Sequence, residues 1–219
     1  MISHAHKINR DTERTDPAEE RRPSGIPVIG EMLWGTHICV FYETEQDLLD
    51  TTVTYFEAGL EANEFCIWAL PDPLDGERAR DALRRSIPDF DRRLESGQME
   101  LIPGADWYLH GGKFDLQQIT GGWNEKLRMA LAKGFAGVRG SGNAFWIGTN
   151  HWKNFYAYEE ELDRTSRARR WSSSARIRCR RAESAICLTW RECISSLSPG
   201  DTASGKALRH RSSSGPSRR

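Results

Sequence analysis

The sequence predicts an α/β protein with a mainly parallel sheet covered by helices on both faces, in three layers. Two observations carry this. Short apolar runs alternate with longer stretches of helical periodicity along the middle of the chain. The apolar runs do not themselves alternate with polar residues, so each reads as a strand buried on both sides.

The elements follow in order. "HICVFY" is a compact β-branched and aromatic run, the first strand. Behind it Leu48, Leu49, Val53, Phe56 and Leu60 recur at helical spacing, with Thr44 as an N-cap and acids in the first turn. "EFCIWAL" is a second buried strand, closed by "PDPLDG". A helix over 76–86 and a shorter one over 90–95 follow, ended by Gly97. "QMELIPG" is the third strand. The next helix begins near Asp115, is interrupted or joined at Gly121–Gly122, and is capped by Gly134. "FAGVRGSGN" is the fourth strand, and "HWKNFYAYEEELDR" opens a last helix.

Residues 1–30 are polar, charged and proline-bearing and read as a disordered leader, with His4 and His6 incidental. Residues 31–164 form the domain, and at about Thr165 the character breaks. From there on roughly 13 basic residues face about 3 acidic ones, so the formal net charge of +0 hides an acidic body. An acidic body does not read as a nucleic-acid binder. Residues 165–219 lack periodicity and read as a disordered basic tail, or as the product of a reading-frame error. One permitted back-translation, read in another frame, yields "MVVLCTYSL" and then an amphipathic helix, which is a plausible continuation of the sheet. On that reading the last strands are lost to a frameshift. "GDTASGKA" in the tail falls short of a P-loop, because Ala207 offers no hydroxyl for magnesium and no strand precedes it.

The count of 5 cysteines is odd and contains no C-x-x-C pair. Cys39 and Cys66 sit inside strands as small hydrophobes, which suits a reducing cytoplasmic compartment. No signal peptide or membrane-length apolar run is expected.

The segments "GTHICVFYETEQDLL", "YFEAGLEANEFCIWAL", "LESGQMELIP", "WYLHGGKFDLQQITGGWNEKLRMALAKGFAGVRGSGNAFW" and "YEEELD", in that order, resemble the MEDS domain, the sensory domain of DcmR-type repressors and of many prokaryotic histidine kinases. The resemblance implies a signal-transduction sensor of small hydrocarbon-derived molecules, with no cofactor. No kinase or helix-turn-helix segment is read in the sequence, so the output is expected in trans, through a histidine kinase or a transcription regulator, or to have been lost. The family's element order is in turn similar to a RecA/KaiC-like core. There the slot after the first strand grips phosphate; here "YETEQDLL" supplies acids and no lysine.

In open parallel sheets ligands bind beyond the carboxyl ends of the strands. Those ends, and the aromatics near them, nominate Tyr42, Glu43, Trp107, Tyr108, Arg139, Asn143 and Trp146 as ligand contacts. Arg139 would be an anion or carbonyl anchor between glycines. His37, at the start of the first strand, is a further ligand contact or a structural histidine. His110 to Asp115 could form a mobile lid. Trp123, in helical spacing with Leu127, reads as core. No catalytic group and no metal site is expected, and no membrane or nucleic-acid partner.

Overall fold

The structure is a computed structural model that describes residues 19–71, 74–109, 111, 113–143, 152–166, 170–178 and 186–187. Its main sheet has six strands: β3 (His37–Tyr42), β4 (Phe65–Leu70), β5 (Met99–Pro103), β6 (Val138–Asn143), β7 (Trp171–Arg178) and the short β8 (Ile186–Cys187). Their order is β5-β4-β6-β7-β3-β8. The first five are mutually parallel, and β8 runs antiparallel to β3. Every residue of β3 and β4 is buried, as a strand covered on both faces requires.

Parallel strands need crossovers, and here helices supply them. α1 (Glu45–Glu61), α2 (Gly76–Ser86) and α3 (Phe90–Glu95) pack on one face. α4 (Gly104–Tyr108), α5 (Leu116–Ala132) and α6 (Trp152–Ser166) pack on the other. The strands' side chains divide accordingly. Ile38, Val40, Cys66 and Trp68 enter the α1–α3 core, while Phe65, Ile67, Val138 and Trp171 enter the α5–α6 core. Cys39 and Cys66 therefore lie on opposite faces of strands that are not neighbours and cannot be joined by a disulfide.

The expected helix starts hold. Thr44 caps α1 through a reciprocal capping box with Asp47, Asp75 caps α2 and Asp115 caps α5. Gly134, with φ of +87°, closes α5 in the left-handed conformation that glycine adopts without strain. α5 runs unbroken through Gly121 and Gly122.

Both expected boundaries move. The leader is shorter than 30 residues, because β1 (Arg21–Pro23) and β2 (Glu31–Leu33) form an antiparallel hairpin. In its turn Gly25 has φ of +77° and lies so close to the Thr54 carbonyl that any Cβ would collide. The domain also does not stop at 164, because Trp171–Arg178 is a central strand between β6 and β3. The remaining leader, 1–18, and the remaining tail, with its near-P-loop, lie outside the described residues.

The hairpin is held by charge. Glu64, fully buried just before β4, takes Arg22 Nε at 2.7 Å on Oε1, and Arg139 Nε at 2.7 Å and Nη2 at 2.9 Å on its two oxygens. Arg139 Nη1 donates to the carbonyls of Tyr55 (2.8 Å) and Ser24 (3.1 Å), and Nη2 to that of Pro23 (2.9 Å). All five guanidinium N–H groups are thus used. Arg22 Nη2 bonds Ser172 Oγ, and the Arg22 guanidinium lies 3.5 Å from the centroid of the Trp34 ring. Burial works against the charge of Arg139, but the bond and charge of Glu64 more than offset it, and its pKa is raised.

On the opposite face α6 meets the sheet through His37, whose Nε2 is 3.1 Å from Glu159 Oε2, both nearly inaccessible. Burial depresses the imidazole from its usual 6.5 to about 4, against the opposing charge of Asp163. The pair is therefore a neutral imidazole beside a carboxyl group at neutral pH.

Two outcomes follow from these buried groups. Glu64→Leu strands two buried guanidinium groups and should cost ~3–5 kcal/mol, read by urea denaturation. His37 binds its proton near pH 6.5 when unfolded but only near 4 when folded. Its contribution is thus complete above pH 6.5 and is lost as pH falls toward 4, by about 3 kcal/mol in total. Melting curves between pH 7.5 and 4.5 should show His37→Asn losing less stability over that window than the parent chain.

Candidate ligand-binding site

A crevice between neighbouring strands opens where the chain leaves them toward opposite faces. β4 is followed by α2 on one face, and β6 leads to α6 on the other, so the carboxyl ends of β4 and β6 meet this condition.

The structure sorts the expected site residues into three groups. Trp107 and Tyr108 are brought together on α4, directly after β5, and face the α5–α6 layer. Tyr108 is buried, with its hydroxyl lying over Gly142 of β6, where any side chain would collide with it. Asn143 ends β6 at the same edge, in register with Arg176 of β7. These three share the carboxyl end of the sheet as expected.

Tyr42 and Glu43 also lie at a strand's carboxyl end, that of β3, but elsewhere along the sheet. Tyr42 is buried in the α1–α3 core and Glu43 is exposed. The adjoining start of α1 is already filled with negative charge. The Asp47 N–H donates to Thr44 Oγ1 at 3.1 Å, and the Thr44 N–H donates back to an Asp47 oxygen at 2.9 Å. That backbone bond, with the Thr44 hydroxyl, holds the Asp47 carboxyl below its usual range. Glu45 adds a second acid, paired with Arg78 at 2.6 Å. A helix N-terminus binds anions through free N–H groups and positive potential; here the Asp47 N–H is taken by the Thr44 hydroxyl and the potential is met by Glu45 and Asp47.

Arg139 and His37 do not belong to the edge. Arg139, the second residue of β6, is fully buried toward the amino end with every donor satisfied by protein, so the expected anion anchor is a structural arginine. His37 begins β3 at that same end and faces Glu159. The glycines around Arg139 serve packing: Gly140 and Gly142 make room for Trp123 and Tyr108. Trp146, His110 and Gly112 lie outside the described residues.

Around Trp107 and Tyr108 stands an aromatic cluster larger than the sequence suggested. The Trp107 and Trp123 ring centroids are 4.5 Å apart, edge to face, and Trp123 stacks on Trp171 at 5.3 Å. Tyr158 meets Tyr108 at 5.9 Å and Phe114 at 6.3 Å, both edge-on. Trp123 Nε1 donates to the Tyr158 hydroxyl at 3.0 Å. Burial first, then the neighbouring Tyr108 and Glu159, push the Tyr158 phenol well above its usual pKa, so it stays protonated. Among the described residues, the indole N–H groups of Trp107 and Trp171 are buried without a hydrogen-bond acceptor; each such donor costs about 1–3 kcal/mol. Trp123 was visible as a buried helical position. Tyr158 had only its place on a helix face, and Trp171 lay hidden in arginine- and serine-rich sequence.

The rings of Trp107, Tyr108, Trp123, Tyr158 and Trp171 thus form one contiguous aromatic cluster on this face of the sheet. No cluster of metal-ligating side chains is present among the described residues, and no described helix is long and apolar enough to cross a membrane.

Comparison with known proteins agrees with the architecture. A KaiC-like protein of the hyperthermophilic archaeon Pyrococcus horikoshii superposes with a TM-score of 0.53, covering 76% of this chain and 75% of that one at 13% identity. At that identity the likeness concerns the fold alone, which is RecA-like. A search of curated proteins finds no match. The family profile described as the methanogen/methylotroph, DcmR sensory domain, MEDS, matches residues 36–175. That span runs from the turn before β3 into β7 and takes in the carboxyl edge with its aromatic cluster, and the chain belongs to the MEDS family of sensory domains.

Proposed function

We propose that this sensory domain binds a small organic, hydrocarbon-derived molecule at the carboxyl edge of β4, β5 and β6 and passes the event to an output protein in trans. The carrying observation is the ring cluster of Trp107, Tyr108, Trp123 and Tyr158 at that edge. Its walls are apolar, with few polar atoms, as a small-molecule pocket requires. Ligand binding would shift the population of an edge conformation that the partner reads. A histidine kinase or a transcription regulator is the kind of partner that would read such a sensory domain. We place the protein in the cytoplasm and assign it no catalysis, cofactor, nucleic acid or membrane.

The competing reading is a nucleotide-binding enzyme on the same RecA-like scaffold. The self-capped, acidic start of α1 speaks against it, since a triphosphate would meet Glu45 and Asp47 where relatives with a phosphate loop offer free N–H groups.

The end of the domain carries a second part of the proposal. β7 is a central parallel strand, a position that favours Val, Ile and Leu. Here Ser172 and Ser173 are buried in it. The alternative-frame string "MVVLCTYSL" overlies this same strand. We read the chain from about residue 165 as out of frame, with the native final strands replaced and function impaired.

Thermal-shift screening of small alcohols, aldehydes, acids and aromatics should raise the melting temperature for at least one class, while magnesium ATP leaves it unchanged. Micromolar binding of magnesium ATP would reverse the choice between the two readings. Sequencing the gene across the codons of residues 160–170 decides the frame. A frame-restored chain should gain several degrees in melting temperature over the present one, and an intact original frame would end that part of the proposal.

A further inference from the structure

Trp107 sits in a slot made for a flat ring. One wall is α5 at Gly122, where the missing side chain leaves a notch; a Cβ there would stand 3.3 Å from Trp107 Cη2. The next residue of the same helix, Trp123, stands beside it, edge to face with Trp107 at 4.5 Å. The slot is lined by glycine backbone and ring carbons.

Indole fits this shape but not this chemistry. Its Nε1–H is buried there and finds no acceptor among the described residues. A ring of similar breadth without an N–H would fill the same space and strand no donor. Trp107 is also only half-buried, unlike Trp123 and Trp171. It stands on a helix of 5 residues, with no side-chain cap bond, at the open edge of the sheet. Its departure therefore moves α4, and with it the neighbouring Tyr108, whose hydroxyl lies over Gly142 of β6. Exchanging ring for ring keeps the buried apolar area nearly constant, and the freed indole N–H regains water.

We propose that the slot between Gly122 and Trp123 is an aryl-binding site which Trp107 occupies as an internal stand-in, and that the ligand is a flat aromatic hydrocarbon lacking a hydrogen-bond donor. The inference rests on the sensory reading and narrows it to a ligand class and a first movement. The ligand enters as Trp107 leaves, and α4 carries that displacement to the carboxyl edge, where β5 joins it.

Toluene is the probe, and the full chain labelled with 5-fluorotryptophan reports the movement. The Trp107 resonance is assigned by its loss in Trp107→Phe. Toluene should shift that resonance to a solvent-exposed position and raise the melting temperature. Trp107→Ala, which removes the internal competitor, should bind toluene about tenfold tighter or more. Adding Gly122→Ala to that variant should weaken binding again by narrowing the notch. Toluene binding with an unmoved Trp107 resonance would overturn the proposal, as would unchanged affinity in Trp107→Ala. Should Trp107→Ala not fold, the fluorine measurement on the parent chain decides alone. If 1-butanol, acetaldehyde or acetate binds and toluene does not, the aryl slot fails while the sensory reading stands; if no organic probe binds, both fail.

Discussion

One carboxylate organises this molecule. Glu64 is fully buried and divides its two oxygens between Arg22 and Arg139. Through those bonds it ties together parts of the chain that are remote in sequence: the β1–β2 hairpin, the start of β4 and the start of β6. Arg139 extends the link to α1 by its bond to the Tyr55 carbonyl and by lying 4.9 Å from the centroid of the Tyr55 ring. A buried ion pair is weak evidence for net stability, but removing one member is severe because the other charge stays in place. The constraint is therefore one of arrangement. The network is satisfied only when hairpin, helix and both strands are seated together, and in this fold that seating fixes the amino end of the sheet.

With one end clamped by charge, the other is left to rings. Each N–H that Arg139 contributes to the amino-end clamp is committed to a partner, whereas Arg22 Nη1 beside it, the indole N–H of Trp171 at the start of β7 and that of Trp107 at the carboxyl end are buried without one. Full use of its donors separates Arg139, in the floor of the sheet, from the rings at the carboxyl edge. It also accounts for the reassignment of Arg139: a guanidinium with all donors used belongs to the floor.

Most of the layered fold was legible because periodicity is a local signal. The all-buried runs of β3 and β4, the Thr44 and Asp115 caps and the terminal glycine of α5 each rest on a few neighbouring residues. What stayed hidden depends on distant partners. Arg22 looks like one more charge in a polar leader until Glu64 is placed beside it. Ser172 and Ser173 look unlike a strand until β3 and β6 flank them. The placement of Trp107, Tyr108 and Asn143 at the carboxyl edge could be read from strand ends alone. The face each residue would occupy could not, so Tyr42 and Glu43 were grouped with rings that lie across the sheet.

The position of β7 has a consequence for how the protein is made. It follows every other parallel strand in sequence, yet among the described strands it is the one that sits between β6 and β3 and bridges them. Until it emerges, β3 has no parallel partner among the described strands, and β5, β4 and β6 form a separate ribbon. Hydrogen-bonded closure of the described sheet must therefore wait until residues 171–178 are made, and the β3–β7 pairing joins segments far apart in sequence, which slows folding. During that wait, the edges of β3 and β6 are exposed to pairing with other chains. The Glu64 clamp involves only Arg22, Glu64 and Arg139 in its charged core, all synthesised earlier, and so can hold the incomplete halves near each other while the gap is still empty.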